Sequence, residues 1–126
     1  MFQLDFKSGV PICDQIVNGI IKLKSLGVLK SGEQLPSVRA LASKFSVNPN
    51  TVQKSYSMLE ANGIIYSVKG KGSFISDDDR AANAVLETAK NNFLNAARSA
   101  KDLDLNPAEM ISLIKENLMQ NEEGSK

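Results

Sequence analysis

Asn48, Asn50, Thr51, Gln53 and Lys54 bring five hydrogen-bonding side chains into the seven residues NPNTVQK, and Ser55 follows at once. Asn and Gln each carry a donor and an acceptor on one planar amide, the arrangement that meets the major-groove edge of adenine through two hydrogen bonds. Upstream, Ser37 and Arg39 stand in LPSVRALA. A guanidinium there offers a fork for a phosphate or for the edge of guanine. Downstream, KGKG alternates Lys69 and Lys71 with Gly70 and Gly72. A turn with two ammonium groups and no Cβ at alternate positions can lie against a phosphate backbone or reach into a minor groove. The chemistry these residues suit is recognition of a polyanion.

Bond-breaking chemistry has little to work with. The chain has no histidine and a single cysteine, Cys13, which removes His-based acid–base catalysis, a Ser-His-Asp triad and any Cys/His zinc site. Cys13 lies on an apolar-periodic stretch, as expected of a structural thiol in a reducing compartment. Asp77–Asp79 are consecutive, so they point in different directions and suit a helix start better than a metal site. KGKG lacks the G-x-x-x-x-G-K-[ST] pattern of a phosphate-cradling loop. The expectation is no enzyme, no cofactor and no metal.

With 126 residues, 42% of them hydrophobic, the chain can bury one modest core plus an appendage. No apolar run is long enough to span a bilayer and MFQLDFKSGV lacks the regions of a signal peptide, so a cytoplasmic protein without a membrane partner is expected. The net charge of +1 conceals an uneven distribution. Residues 1–35 carry +1, residues 36–76 carry +4 and residues 77–126 carry −4. The middle third is the candidate surface for an anion.

Four elements must position those side chains. Ile12, Ile16, Ile20 and Leu23 predict a helix over Pro11–Leu29, with Gly27 near its end. Ser37 can cap a second helix whose buried face is Val38, Leu41, Ala42 and Phe45. Pro49 disfavours helical geometry at Asn48 and suits a first helical position, so a third helix runs from there to about Asn62, held inward by Val52, Tyr56 and Leu59. IIYSVKGKGSFIS then reads as a two-stranded hairpin. This order is that of a winged helix-turn-helix domain, in which the second helix of the pair enters a major groove by a small, polar leading turn.

The run GEQLPSVRALASKFSVNPNTVQKSYSMLEANGIIYSVKGKGSFIS is similar to the DNA-binding domain of the GntR family of bacterial transcriptional regulators. Its pieces are L-P-S-V-R-x-L-A, V-N-x-x-T-V, L-x-x-x-G-x-I and G-x-G-x-F-[IV], preceded by Pro-Ile-x-x-Gln-Ile, and together they cover about residues 8–76. The resemblance implies DNA contacts from Ser37, Arg39, Asn50, Thr51, Gln53, Lys54, Lys69 and Gly70. Bottom-up reading adds Asn48 and Lys71. Many family members carry Arg at the position of Pro49 or Gln53, and this chain has neither, so the resemblance transfers no operator sequence.

The remaining fifty or so residues predict two helices. One starts at the aspartates and runs to about Ala100; the other opens with the capping-box pattern Asn106-Pro107-Ala108-Glu109 and has Met110, Ile111, Ile114 and Leu118 inward. The tail from Asn121 is polar and expected to fray. A short two-helix end resembles the YtrA subfamily, which implies a dimerisation module, often with regulation of neighbouring transporter operons. Two helices cannot enclose a pocket of ~300 Å3 within one subunit. They can bury their apolar faces on a twofold mate, with Val85, Leu86, Phe93, Ala97, Met110, Ile114 and Leu118 at the interface. The overall expectation is a mostly α protein with a small β-hairpin: a winged helix-turn-helix domain over 1–76, then a two-helix dimerisation region over 77–126. Its function would be that of a homodimeric, operator-binding regulator, a repressor by family habit, with its effector unknown. The alternative is a winged-helix protein-interaction module without specific DNA binding.

Overall fold

Proline has no N–H to donate and its φ is fixed near a helical value, so it suits the threshold of a helix. In the computed structural model, which describes residues 1–119, Pro11 stands at that threshold and α1 spans Ile12–Ser25. The tail from Asn121 lies outside the described residues. α1 ends earlier than its apolar periodicity suggests. Gly27 adopts φ +75°, and the N–H groups of Val28 and Leu29 both donate to Leu23 O, at 2.9 and 3.1 Å. Leu29 is buried as its hydropathy requires, but it reaches the core from a turn.

α2 spans Val38–Phe45 and α3 spans Pro49–Ala61. Strands β1 (Ile65–Val68) and β2 (Gly72–Ile75) pair antiparallel, with Ile65 opposite Ile75 and Val68 opposite Gly72. α4 (Asp79–Asp102) and α5 (Pro107–Ile114) follow, and a π-helical turn at Lys115–Met119 succeeds α5. The fold is therefore mostly helical with one small hairpin, as expected. The chain divides into two compact units, Met1–Val85 and Leu86–Lys126.

The first unit is built around side chains that are wholly inaccessible to solvent: Ile16, Ile20, Leu41, Val52, Leu59, Ile64 and Ile75. α1 and α2 both pack on α3, so the third helix is held from two sides. The N-terminal arm adds a cover that the sequence reading did not anticipate. The Phe2 ring lies 5.2 Å from that of Phe45, and it occupies the space beside Gly19, where a Cβ would come within 2.7 Å of it. Gln15 fastens the arm, accepting from Asp5 N at 2.7 Å while its Nε2 donates to Asp5 O and Val10 O at 2.7 and 2.9 Å. The hairpin also gains a neighbour, since Gln34 forms a β-bridge with Phe74 and Leu35 N donates to Ser73 O at 2.8 Å.

Tyr56 links this neighbour to α3. Its ring is buried and its hydroxyl donates to Pro36 O at 2.7 Å. Burial pushes the phenol from its ordinary 10.0 to about 12. The neutral form is thus favoured by folding, and the stability it brings is present in full below pH 10 and lost as pH rises to about 12. Tyr56→Phe is expected to lower the unfolding free energy at pH 7 by about 1–3 kcal/mol, because Pro36 O loses its partner. Urea titrations at several alkaline pH values should also show the variant without the wild type's loss attributable to this phenol.

Lys24 joins the end of α1 to the approach to α4: its Nζ donates to Ser76 Oγ at 3.2 Å and to Asp78 O at 2.9 Å. Of the three consecutive aspartates, Asp78 meets the helix start, where its Oδ1 accepts from Arg80 N at 3.0 Å. That backbone bond, followed by the Arg80 side chain, holds the Asp78 carboxyl below its usual value.

In the second unit the chain turns at Asp104, which has φ +71°, and Leu105 N donates back to Ala100 O at 3.0 Å. Asn106 and Glu109 form the expected capping box, with Asn106 Oδ1 accepting from Glu109 N at 2.9 Å. The expectation that Ile111 and Leu118 face inward needs correction, because both are more than half exposed in the subunit. α5 contains no buried residue at all. Leu86, Phe93, Leu94, Leu103 and Met119 are exposed as well.

Candidate nucleic-acid interface

A short polar break reverses the chain between α2 and α3. Ser46 ends α2 in the left-handed region at φ 57°, ψ 45°, and Val47 N donates to Ala42 O at 3.0 Å. Asn48 then caps α3, its Oδ1 accepting from Asn50 N at 2.8 Å, and Pro49 occupies the first helical position. With Thr51 N and Val52 N bonded to Asn48 O, the leading turn of α3 has its backbone donors already engaged. Whatever this turn recognises must be met by side chains.

The two sides of α3 differ in kind. Asn50, Gln53, Lys54 and Ser57 are exposed, Thr51 is half-buried, and Val52, Ser55, Tyr56 and Leu59 are buried. Gln53 Nε2 donates to Ser57 Oγ at 3.3 Å, which leaves the Gln53 carbonyl and its second amide hydrogen outward-facing groups for a base edge. Ser55 does not belong to the polar face on which the sequence reading placed it. Its hydroxyl is fully buried and shares its one hydrogen between Cys13 O and Thr51 O, both at 3.0 Å, so it joins α3 to α1. Cys13 lies at the same junction, its Sγ 3.4 Å from Met58 Sδ.

Ser37 and Arg39 stand at the start of α2. Ser37 Oγ accepts from Ala40 N at 3.1 Å, which leaves its hydroxyl hydrogen free to donate outward. Arg39 is exposed and its side chain makes no hydrogen bond or ion pair among the described residues. The N–H groups of Val38 and Arg39 precede the first intrahelical bond of α2, the place where a phosphate oxygen is favoured by both hydrogen bonding and the helix dipole. Lys69, Gly70 and Lys71 form the exposed tip of the hairpin, and Gly70 adopts φ +77°.

The structure thus places the ten candidate residues in three groups: the first turn of α2, the leading turn and outer face of α3, and the hairpin tip. Sequence reasoning missed Ser57, whose signal was its place one helical turn beyond Gln53. It also missed Gln34, a polar residue in the segment between α1 and α2. Among the described residues no group of three or more His, Cys, Asp or Glu side chains could hold a metal ion. No described helix is long and apolar enough to cross a membrane.

Residues 13–75, from α1 to the end of the hairpin, match the profile described as bacterial regulatory proteins, gntR family. The chain belongs to the GntR family. Among curated GntR-family relatives, the transcriptional repressor YtrA of Bacillus subtilis is 45% identical over 78 residues, which cover 62% of this chain and 60% of the relative. Among solved structures, a GntR-family transcriptional regulator from Listeria monocytogenes covers 88% of this chain and 98% of its own, at 35% identity and a TM-score of 0.63. The DNA-binding domain of AraR, solved in complex with operator ORE1, covers 60% of this GntR-family chain and 95% of its own at 27% identity and a TM-score of 0.52.

Proposed function

We propose that this GntR-family regulator is a homodimeric repressor that sets two copies of α3 into successive major grooves of a near-palindromic operator, ~34 Å apart. The observation that carries the reading is the division of α3 into a buried side and an exposed side bearing Asn50, Gln53 and Lys54. A helix held rigidly by one side and bearing amide and ammonium groups on the other suits base-edge and phosphate contacts. Asn48 and Thr51 contribute from the leading turn, Ser37 and Arg39 from α2, and Lys69, Gly70 and Lys71 from the wing. The operator-bound AraR domain supports the DNA partner by its similar fold. The sign of regulation follows that of the YtrA repressor, and control of a neighbouring transporter operon is the subfamily's implication.

Dimerisation is assigned to the region over 77–126. Its support is apolar surface that one subunit leaves uncovered at Leu86, Phe93 and Leu118, with Ala97, Met110 and Ile114 half-buried beside them in sequence. Val85 also packs on the core of its own first unit, so any contact it makes with a mate comes from its remaining exposed surface. An effector, if the regulator has one, would bind between subunits. Light scattering on the eluting protein at micromolar concentration should give twice the chain mass; a monomer would remove the twofold arrangement.

The decisive experiment is binding of the purified protein to a labelled duplex from its own upstream region, with random DNA as competitor, across a salt series. Binding that outlasts the competitor is the expected result. Equal, salt-labile binding to both DNAs would overturn specific recognition there. In the same assay Lys71→Ala should weaken binding uniformly across sequences and reduce the salt slope by about 1, as expected for loss of one phosphate contact. An unchanged slope would take the wing off the DNA backbone.

A further inference from the structure

We propose that Gln34 is a positioning residue for the wing, its side-chain amide fixing the Lys69–Lys71 tip beside α3. The inference rests on the wing being a DNA contact and adds what holds it in register with the recognition helix. Gln34 Nε2 donates to Lys71 O at 2.7 Å. It passes over Gly72, where a Cβ would fall 2.8 Å from that nitrogen, so the absent side chain makes room for the amide. Within the turn itself, the tip has one backbone bond, Lys71 N to Val68 O at 2.9 Å. An isolated two-stranded hairpin is marginal in water, and a tip so lightly held gains from an outside anchor.

The anchor is itself tied to the rest of the candidate surface. Ile75 N donates to Glu33 O at 2.9 Å and Leu35 N to Ser73 O at 2.8 Å, so the backbone on either side of Gln34 is paired with β2. Two residues beyond Gln34, Pro36 O accepts the Tyr56 hydroxyl of α3, and Ser37 then caps α2. One continuous segment is therefore bonded to the wing tip, to α3 and to the start of α2. Within it, the Gln34 amide makes the side-chain bond to the tip. A donor is required there because Lys71 presents a carbonyl oxygen. Glutamate, of the same length, would set acceptor against acceptor.

The test replaces Gln34 by Met, which keeps the length and removes the donor. Amide exchange is measured in the free protein, and salt-dependent binding to the upstream duplex is measured for wild type, Gln34→Met, Lys71→Ala and the double variant. Exchange at Lys69–Gly72 should quicken by about 2- to 5-fold, a modest change because the bond is exposed. Affinity should fall by a similar factor, about 2- to 5-fold. Lys71→Ala should cost less in the Met background than in wild type, a coupling that general loosening of the fold would not produce. Unchanged exchange at the tip would overturn the anchoring role. Faster exchange with the full Lys71 effect retained would overturn positioning on DNA. Loss of the Lys71 effect in the wild-type background would instead overturn the wing contact, and with it the role in register, while the exchange result separates that failure from failure of the anchor.

Discussion

Truncating Leu59 to alanine lowers the stability of the first unit by about 2–5 kcal/mol, the range for emptying a fully buried leucine site. Leu59 has no accessible surface, and it sits in one buried cluster with Ile16, Ile20, Leu41 and Ile64. These neighbours come from α1, α2 and the segment entering the hairpin, so each is held by its own element and cannot simply move into the vacated space. Part of the cost is therefore the cavity, beyond the lost burial of the side chain. A convenient probe exists: the chain has two tyrosines and no tryptophan, and Tyr56 and Tyr66 both belong to the first unit. Urea unfolding followed by tyrosine fluorescence reports on that unit alone. A midpoint shift equivalent to less than about 1 kcal/mol, with an unchanged slope, would contradict the central place given to Leu59. Ile16→Val, which removes one methylene from the same cluster, should cost about 0.5–1.5 kcal/mol.

The second large effect concerns DNA and leaves folding alone. Arg39→Ala is expected to weaken operator binding by about 1–3 kcal/mol if the guanidinium reads a base, with a much smaller loss on random DNA. The side chain is exposed and unpaired among the described residues, so no internal interaction is lost when it is removed. The unfolding midpoint should stay within about 0.5 kcal/mol of wild type. Fluorescence anisotropy on both duplexes at one salt concentration gives the comparison. Equal losses would assign Arg39 to phosphate, alongside Lys71, and would leave base reading to the amides of α3.

Much of this architecture was legible in local sequence because it is locally determined. Ser37 and the Asn106–Glu109 box are capping signals whose partners lie three residues away, and each makes the predicted kind of bond. The hairpin was legible for the same reason, through its Gly-containing turn between β-branched and aromatic runs. What escaped depends on partners distant in sequence. Ser55 reads as one more polar residue of a polar turn until α1 supplies Cys13 O, 42 positions away. Gln34 looks like turn filler until Lys71 O, 37 positions on, comes to its amide. The end of α1 was misplaced because Leu29 keeps the apolar rhythm while Gly27, a single residue in the left-handed region, breaks the helix beneath it. In the second unit the periodicity of α5 was clear, but no property of one chain states what its apolar side meets.

The two sides of α3 also bear on how such a regulator could acquire a new target. Asn50, Gln53, Lys54 and Ser57 make no contribution to the buried cluster, so under the proposed mode of binding substitutions there would change which bases are favoured while the fold is little disturbed. Val52, Ser55, Tyr56 and Leu59 alternate with them along the same helix and are constrained by α1, by Pro36 and by the core. Selection can thus act on recognition and on folding almost independently within thirteen residues of one helix. A duplicated copy could drift to a different operator through its outward residues without first passing through an unstable ancestor.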